Sequence, residues 1–271
     1  MEPKAPLSTK HQAPSTKLAL ALSGGGARGI AHLGVLAALD ELGLPIGYLS
    51  GVSSGAIAGA FYAAGMAPRE ILRLLQATNI VRLTRPVFGR HGLLGLTAVE
   101  ALLTRHLGTK LNFEDLRLPL VLAATDLRAG ETVYFQSGPL VPPLLASSAV
   151  PILYRPVEYQ GRLLVDGGLL ENLPVRPLLE LSDRPAVVGV HCNPLNPEAR
   201  LPTLRRVLER TLQLAINANT RASQQQCALL LEPPALRHFR PLGYRRAAEL
   251  FEVGYRYTLE QEAALWALLV R

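Results

Sequence analysis

With 271 residues, 49% of them hydrophobic, the chain can fill one substantial core, which excludes disorder throughout. The net charge of +7 is spread over a chain with only 18% charged residues, so no nucleic-acid partner is expected. Cys192 and Cys227 lie far apart without metal-type spacing, which argues against a disulfide scaffold and a zinc site and fits a reducing, cytoplasmic compartment.

Residues 1–17 combine Pro, Ser, Thr and Lys with two STK repeats and read as a flexible leader. The LALAL run at 18–22 is too short for the apolar region of a signal peptide and reads as a buried strand ending at glycines. A helical spacing of Ile30, Leu33, Gly34 and Ala37 predicts a helix over 30–41, closed by Gly43. A strand at 46–50, a turn around Ser53 and a small-residue helix reaching Ala64 follow. The uncharged stretch 42–68 has the length of a membrane span, but its glycines, serines and strand-like start favour a globular reading. Pro68 restarts a helix through Leu75, and residues 82–92 read as a loop. Strands are predicted at 119–124, 163–165 and 186–191, with a short helix within 139–149.

The C-terminal third is more helical. Leu204, Val207, Leu208, Thr211, Leu212 and Ala215 recur at three and four residues, which places Arg205, Arg206 and Arg210 on the opposite, solvent face. A second helix is expected over 245–269, with Gly254 a weak point at its middle. The βαβα order implies parallel strands under helices in one domain over 18–271.

Two tandem strand–glycine–helix units carry the chemistry. In Gly51-Val52-Ser53-Ser54-Gly55 a serine between small residues occupies the turn from strand to helix, the context of a nucleophile elbow. In Gly24-Gly25-Gly26-Ala27-Arg28-Gly29 consecutive glycines let backbone N–H groups converge on an oxyanion or a phosphate. The loop lacks the acidic residue of a dinucleotide site and the lysine of a P-loop. A serine hydroxyl needs a proton acceptor, and the residues offer several. Asp166 in Val165-Asp166-Gly167-Gly168 and Asp126 in Ala124-Thr125-Asp126 both follow strands, and chain order also permits a triad with His191 or His238. His32, inside the first helix, reads as a packed residue.

Taken together, GGGARG at 24–29, GVSSG at 51–55 and DGG at 166–168 resemble the patatin-like phospholipase family, particularly its compact bacterial members. His32 and Gly34, ATD at 124–126 and ASSAVP at 146–151 extend the resemblance, which is strong over 18–190 and thins beyond. It implies a three-layer α/β/α fold with a mostly parallel central sheet. It also implies hydrolysis of lipid acyl esters by a serine–aspartate dyad through an acyl-enzyme, without metal or organic cofactor. By this resemblance Ser53 is the nucleophile, Asp166 the base and the amides of Gly24, Gly25 and Gly26 the oxyanion donors. Ser54 stands where the family often has alanine; Ser54, Arg28 and Gly167 are expected to support the site, Arg28 by ordering the glycine loop or adding positive potential. A triad carboxylesterase and a non-catalytic module that binds phosphate or lipid headgroups remain the alternatives. Ala56, Ile57, Ala60 and Phe61 belong to the core or line an acyl cleft, and Leu93, Leu94 and Leu96, preceded by Arg82, Arg85 and Arg90, are candidates for peripheral contact with an anionic membrane.

Overall fold

Alternating leucine and alanine in the first strand decides how the sheet is covered. In the computed structural model, which describes residues 17–78, 96–108, 110–241 and 243–270, β1 (Leu18–Leu22) is buried along its whole length. Leu18, Leu20 and Leu22 enter the larger core, whereas Ala19 and Ala21 face a smaller one built with Leu173, Val175 and Leu178. A period of two therefore sets a thick layer on one face and a thin one on the other. Each fully buried leucine contributes about 1.5–3 kcal/mol.

β1 pairs in parallel with β2 (Ile46–Gly51) and β7 (Ala186–Val190). β2 continues in parallel to β3 (Leu120–Asp126), and β7 to β8 (Leu229–Leu231). At β3 the sheet changes direction, because β4 (Glu131–Phe135) and β6 (Arg162–Asp166) both run antiparallel to it, and β5 (Val157–Tyr159) pairs antiparallel with β6. The order is β5-β6-β3-β2-β1-β7-β8, with β4 on β3. This is the expected α/β sheet flanked by helices, with an antiparallel margin. Strands β4, β5 and β8 are additions to the elements read from sequence.

Helices α1 (Ala31–Glu41), α2 (Ser54–Ala63) and α3 (Pro68–Ala77) stand where their periodicity places them, and α1 is entered through a 3-10 turn, Gly26–Ile30. α4 (Thr97–Leu107) was not anticipated; α5 (Val141–Ser147) lies inside the predicted 139–149, and α6 (Arg176–Leu179) covers the thin face. Residues 82–92 with Arg82, Arg85 and Arg90, the pair Leu93 and Leu94, and residues 1–16 of the predicted leader lie outside the described residues. Among the described residues no helix is long and apolar enough to cross a membrane.

The C-terminal helices correct two expectations. The helix predicted over 245–269 is two, α8 (Ala247–Glu260) and α9 (Glu262–Ala267), divided at Gln261. Gly254 does not weaken α8: a Cβ there would stand 2.1 Å from the Ala31 carbonyl oxygen, and one at Gly34 2.0 Å from that of Phe251, so α1 and α8 cross backbone to backbone. α7 (Leu204–Gln225) is helical as expected but turned the other way. Leu204, Val207, Leu208, Thr211 and Ala215 are exposed, while Arg206 and Arg210 are half-buried; the Arg205 side chain lies outside the described residues. The surface beneath α7 is polar, which explains the inversion. Asn217 Nδ2 donates to the Asn193 carbonyl at 3.3 Å, Gln213 Nε2 to Asn193 Oδ1 at 3.4 Å, and Gln224 Nε2 lies 3.2 Å from His191 Nδ1.

Candidate active site

Ser53 follows β2 by two residues and precedes α2. Its φ of 54° and ψ of −122° lie where a side chain is strained, at a cost of about 1–3 kcal/mol. The surroundings hold it there. Ser53 N–H donates to Ser147 Oγ at 2.9 Å, and that hydroxyl donates onward to the Ala123 carbonyl at 2.7 Å, linking the elbow to α5 and β3. Ser53 is 8% exposed, at the mouth of the turn, and the amides opening α2 place a positive dipole end beside it.

Asp166 reaches the serine from the antiparallel margin. Ala124 stands opposite it across the β3–β6 ladder, and its own N–H donates to the Ala149 carbonyl at 3.0 Å. Gly167 is buried against Ala123 and Val52, which brings the turn down onto the elbow. The Asp166 carboxylate accepts the Gly168 N–H at 2.8 Å and has the Ser53 side chain as its second partner. Burial raises its pKa to about 6, only partly offset by these two hydrogen bonds. A carboxylate so poorly solvated is a better proton acceptor than one in water.

The glycine loop supplies donors, with one correction. The Gly24 N–H is already taken by the Asn172 carbonyl at 3.2 Å, so Gly24 offers close packing on Ser53 instead of an oxyanion donor. Gly25 and Gly26 keep their N–H groups free of partners among the described residues. Gly26 has φ +59°, and a Cβ on it would stand 2.4 Å from the Pro241 carbonyl oxygen, so only glycine fits there. Behind the loop, Ser23 Oγ donates to the Gly24 carbonyl at 3.0 Å and accepts the Cys192 N–H at 2.9 Å. His32, fully buried, lies with Nε2 2.8 Å from the Ser23 carbonyl and Nδ1 3.5 Å from Cys192 Sγ, and burial lowers its pKa to about 4. It is the packed residue the sequence suggested. Arg28 is also buried: its Nε donates to the Phe239 carbonyl at 2.8 Å and an Nη to Asn193 Oδ1 at 2.9 Å. These contacts clamp the loop to the segments after β7 and before α8.

The remaining candidates have other employment. Asp126 caps the β3–β4 turn, accepting N–H from Arg128 at 2.9 Å and an Nη of Arg162 at 3.0 Å. His191 is fully buried with Nδ1 2.5 Å from Glu232 Oε1, and His238 lies in an exposed 3-10 turn beside Arg237. Neither ring hydrogen-bonds Ser53 or Asp166 among the described residues. The Ser54 hydroxyl is buried against Gly29 and has no partner among the described residues. Ala56, Ala60 and Phe61 are core, with Ile57 half-buried against it. No cluster of His, Cys, Asp and Glu suited to a metal occurs among the described residues.

Two residues escaped the sequence reading. Ser147 lies inside the quoted ASSAVP motif, yet nothing in its spelling announces a bond to the elbow. Asn172 is 3% exposed beside Gly24 and Gly168, and its Nδ2 has no partner among the described residues. Its signal was position: it ends the DGGLLEN run that opens with Asp166.

Comparison with known proteins bears on the family and the fold. An uncharacterized NTE family protein of Mycobacterium tuberculosis is 41% identical over 168 residues, covering 60% of this chain and 46% of the relative. A lysophospholipase of Pyricularia oryzae is 28% identical over 281 residues, covering 89% of this chain and 18% of its own length. The chain thus spans less than half of the curated relatives it matches here. Among solved structures, VipD from Legionella pneumophila superposes with a TM-score of 0.62 at 15% identity, covering 93% of this chain and 67% of VipD. Human GIVD cytosolic phospholipase A2 gives 0.51 at 12% identity, covering 95% and 60% of the two chains. These two share the fold. The family model for patatin-like phospholipase matches residues 20–179, a stretch that holds Ser53, Asp166 and the glycine loop. By that match the chain belongs to the patatin-like phospholipase family.

Proposed function

We propose that the protein hydrolyses acyl esters of lipids, of phospholipid or lysophospholipid type, with Ser53 as nucleophile and Asp166 as its base. One observation carries this reading: a strained, hydroxyl-bearing elbow hydrogen-bonds a buried carboxylate whose pKa is raised to about 6, beside the amides of Gly25 and Gly26, which have no partner among the described residues. Family membership and the lysophospholipase relative add the substrate class.

In the first half-reaction Asp166 takes the proton of the Ser53 hydroxyl as its oxygen attacks the ester carbonyl carbon. The Gly25 and Gly26 amides, with the opening amides of α2, stabilise the oxyanion, which in other hydrolases is worth about 3–4 kcal/mol per donor. Collapse breaks the ester bond, and the leaving alcohol takes the proton from Asp166. In the second half Asp166 accepts a proton from water as its oxygen attacks the acyl-serine carbonyl, and collapse breaks the acyl–Oγ bond, Ser53 taking the proton back from Asp166 as the fatty acid is freed. Asn172 Nδ2, buried without a partner among the described residues, adds a further donor for substrate or oxyanion.

Labelling by a fluorophosphonate probe, localised by mass spectrometry, tests the dyad. Label on Ser53 that falls sharply in folded Asp166→Asn, together with fatty acid released from phospholipid or lysophospholipid, is the expected result. Equal labelling of both proteins removes Asp166 as the base. No label and no release, with retained binding of lipid headgroups, replaces the hydrolase by a binding module.

A further inference from the structure

The outward face of α7 has no counterpart in the chemistry above. Along it Leu204, Val207, Leu208 and Leu214 are all exposed, Leu204 at 85%, and Thr211 and Ala215 fill the spaces between them. At 100° per residue these positions fall in one stripe of roughly a third of the helix circumference. An apolar stripe on a helix whose inner face is polar reverses the usual arrangement, and the hydrogen bonds of Gln213 and Asn217 to Asn193 fix that orientation. The stripe is therefore not a helix lying loose on the core.

Its charge and its position name the occupant. α7 carries four arginines against one glutamate, and Arg210 and Arg221 fall at one border of the stripe. At the other border Asn219 Nδ2 donates to the Leu169 carbonyl at 3.2 Å, in the 3-10 turn that directly follows Asp166. An apolar stripe bordered on one side by cations matches the boundary between anionic headgroups and acyl chains. A surface seated there would adjoin the turn that holds the base.

We propose that the outer face of α7 docks the protein on an anionic lipid bilayer, laying the stripe into the headgroup boundary and presenting the Ser53–Asp166 site to lipid in that surface. This rests on the lipid-hydrolase reading for its purpose, though not for its measurement. Docking of this kind raises the effective concentration of substrate at the site without any new contact to the scissile ester.

The test uses the full chain and two kinds of vesicle, phosphatidylcholine alone and phosphatidylcholine with phosphatidylglycerol. Co-sedimentation is expected with the anionic vesicles. Leu204→Glu/Leu208→Glu should weaken it by about tenfold or more, and Arg221→Gln by about fivefold at low salt. The same double variant should keep its thermal midpoint and its turnover of a soluble short-chain ester while losing turnover of vesicle lipid. Unchanged vesicle binding in the double variant overturns the proposal. So does a marked fall in its thermal midpoint, which would mean that this chain itself covers the stripe, or a parent dimer that the substitutions convert to monomer. A parent that binds vesicles through the stripe but turns over no ester sinks the hydrolase reading and leaves the docking surface standing.

Discussion

Two aspartates close neighbouring strands of one antiparallel ladder, with Asp166 opposite Ala124 and Asp126 opposite Leu164. Both follow apolar runs, both are buried, and the sequence offers each as a base. Their surroundings part them. Asp126 accepts N–H groups from Arg128 and Ala129 and an Nη of Arg162, so hydrogen bonding, led by the Arg128 N–H, holds its pKa below the ordinary value. Asp166 has the Gly168 N–H and the Ser53 side chain, and burial wins, raising the pKa to about 6. A carboxylate supplied with donors becomes a turn cap; one left short of them is poised to take a proton. The difference lies in three donors that come from the β3–β4 turn and from β6.

The largest effect should come from exchanging each carboxylate for its amide. Asp166→Asn is expected to lower turnover by about 10²–10⁴-fold. Asp126→Asn should leave most turnover in place and lower the thermal midpoint, because the amide replaces an acceptor-only cap with a group that also presents donors to Arg128 and Arg162. Initial rates of fatty-acid release and thermal melts on the same preparations check both. Comparable losses of turnover in the two variants would erase the distinction.

A smaller loss, about tenfold or more in kcat, is expected for Asn172→Ala, because a buried donor beside Gly24 and Gly168 is removed. KM and the thermal midpoint should move little; a loss confined to the thermal midpoint would make Asn172 a packing residue. The pH profile separates the aspartates again. As the proposed base, Asp166 would have to be ionised, so kcat/KM should rise with pH up to about 6 and then level off. An acid limb lying instead in the ordinary carboxylate range would mean that burial does not govern the base.

How much of this was legible in the sequence follows from what each feature depends on. The turns at Ser53 and the glycine loop could be placed because turns that bring strand, helix and backbone amides so close admit few residue types, whereas Asp166 was one of two aspartates the residues offered and it was the family resemblance that singled it out. The short strands β4, β5 and β8 could not, since three to five residues carry little periodicity. α7 shows a different limit. Spacing reveals that a helix is two-faced, but which face turns inward depended on Asn193, a residue from another part of the chain. Gly24 was misread for the same reason, because its N–H is engaged by a carbonyl from position 172.

The finest test sets Asp166 against another perturbed group of the site, His32. A buried acid whose folded pKa exceeds its unfolded value binds more protons when native, so the stability tied to Asp166 is full below about pH 3.8 and is lost as pH rises to about 6. His32 runs the other way: burial lowers its pKa from 6.5 to about 4, so its stability is full above pH 6.5 and lost as pH falls toward 4. Each difference amounts to roughly 3 kcal/mol, and the two windows overlap with opposite slopes. Between pH 4.5 and 6.0 these two contributions nearly cancel in the parent, so Asp166→Asn, in which Asp166 no longer opposes His32, should lose roughly 2 kcal/mol more than the parent on acidification in urea denaturation; Asp40 and Glu171, whose pKa burial also raises, contribute alike to both proteins. Asp126→Asn should slope like the parent, since a lowered carboxylate pKa acts only below this window, where falling pH protonates the native side chain. A parent that already slopes as steeply as Asp166→Asn would show that Asp166 keeps its charge throughout, as Asp126 does, and that their different surroundings do not set them apart.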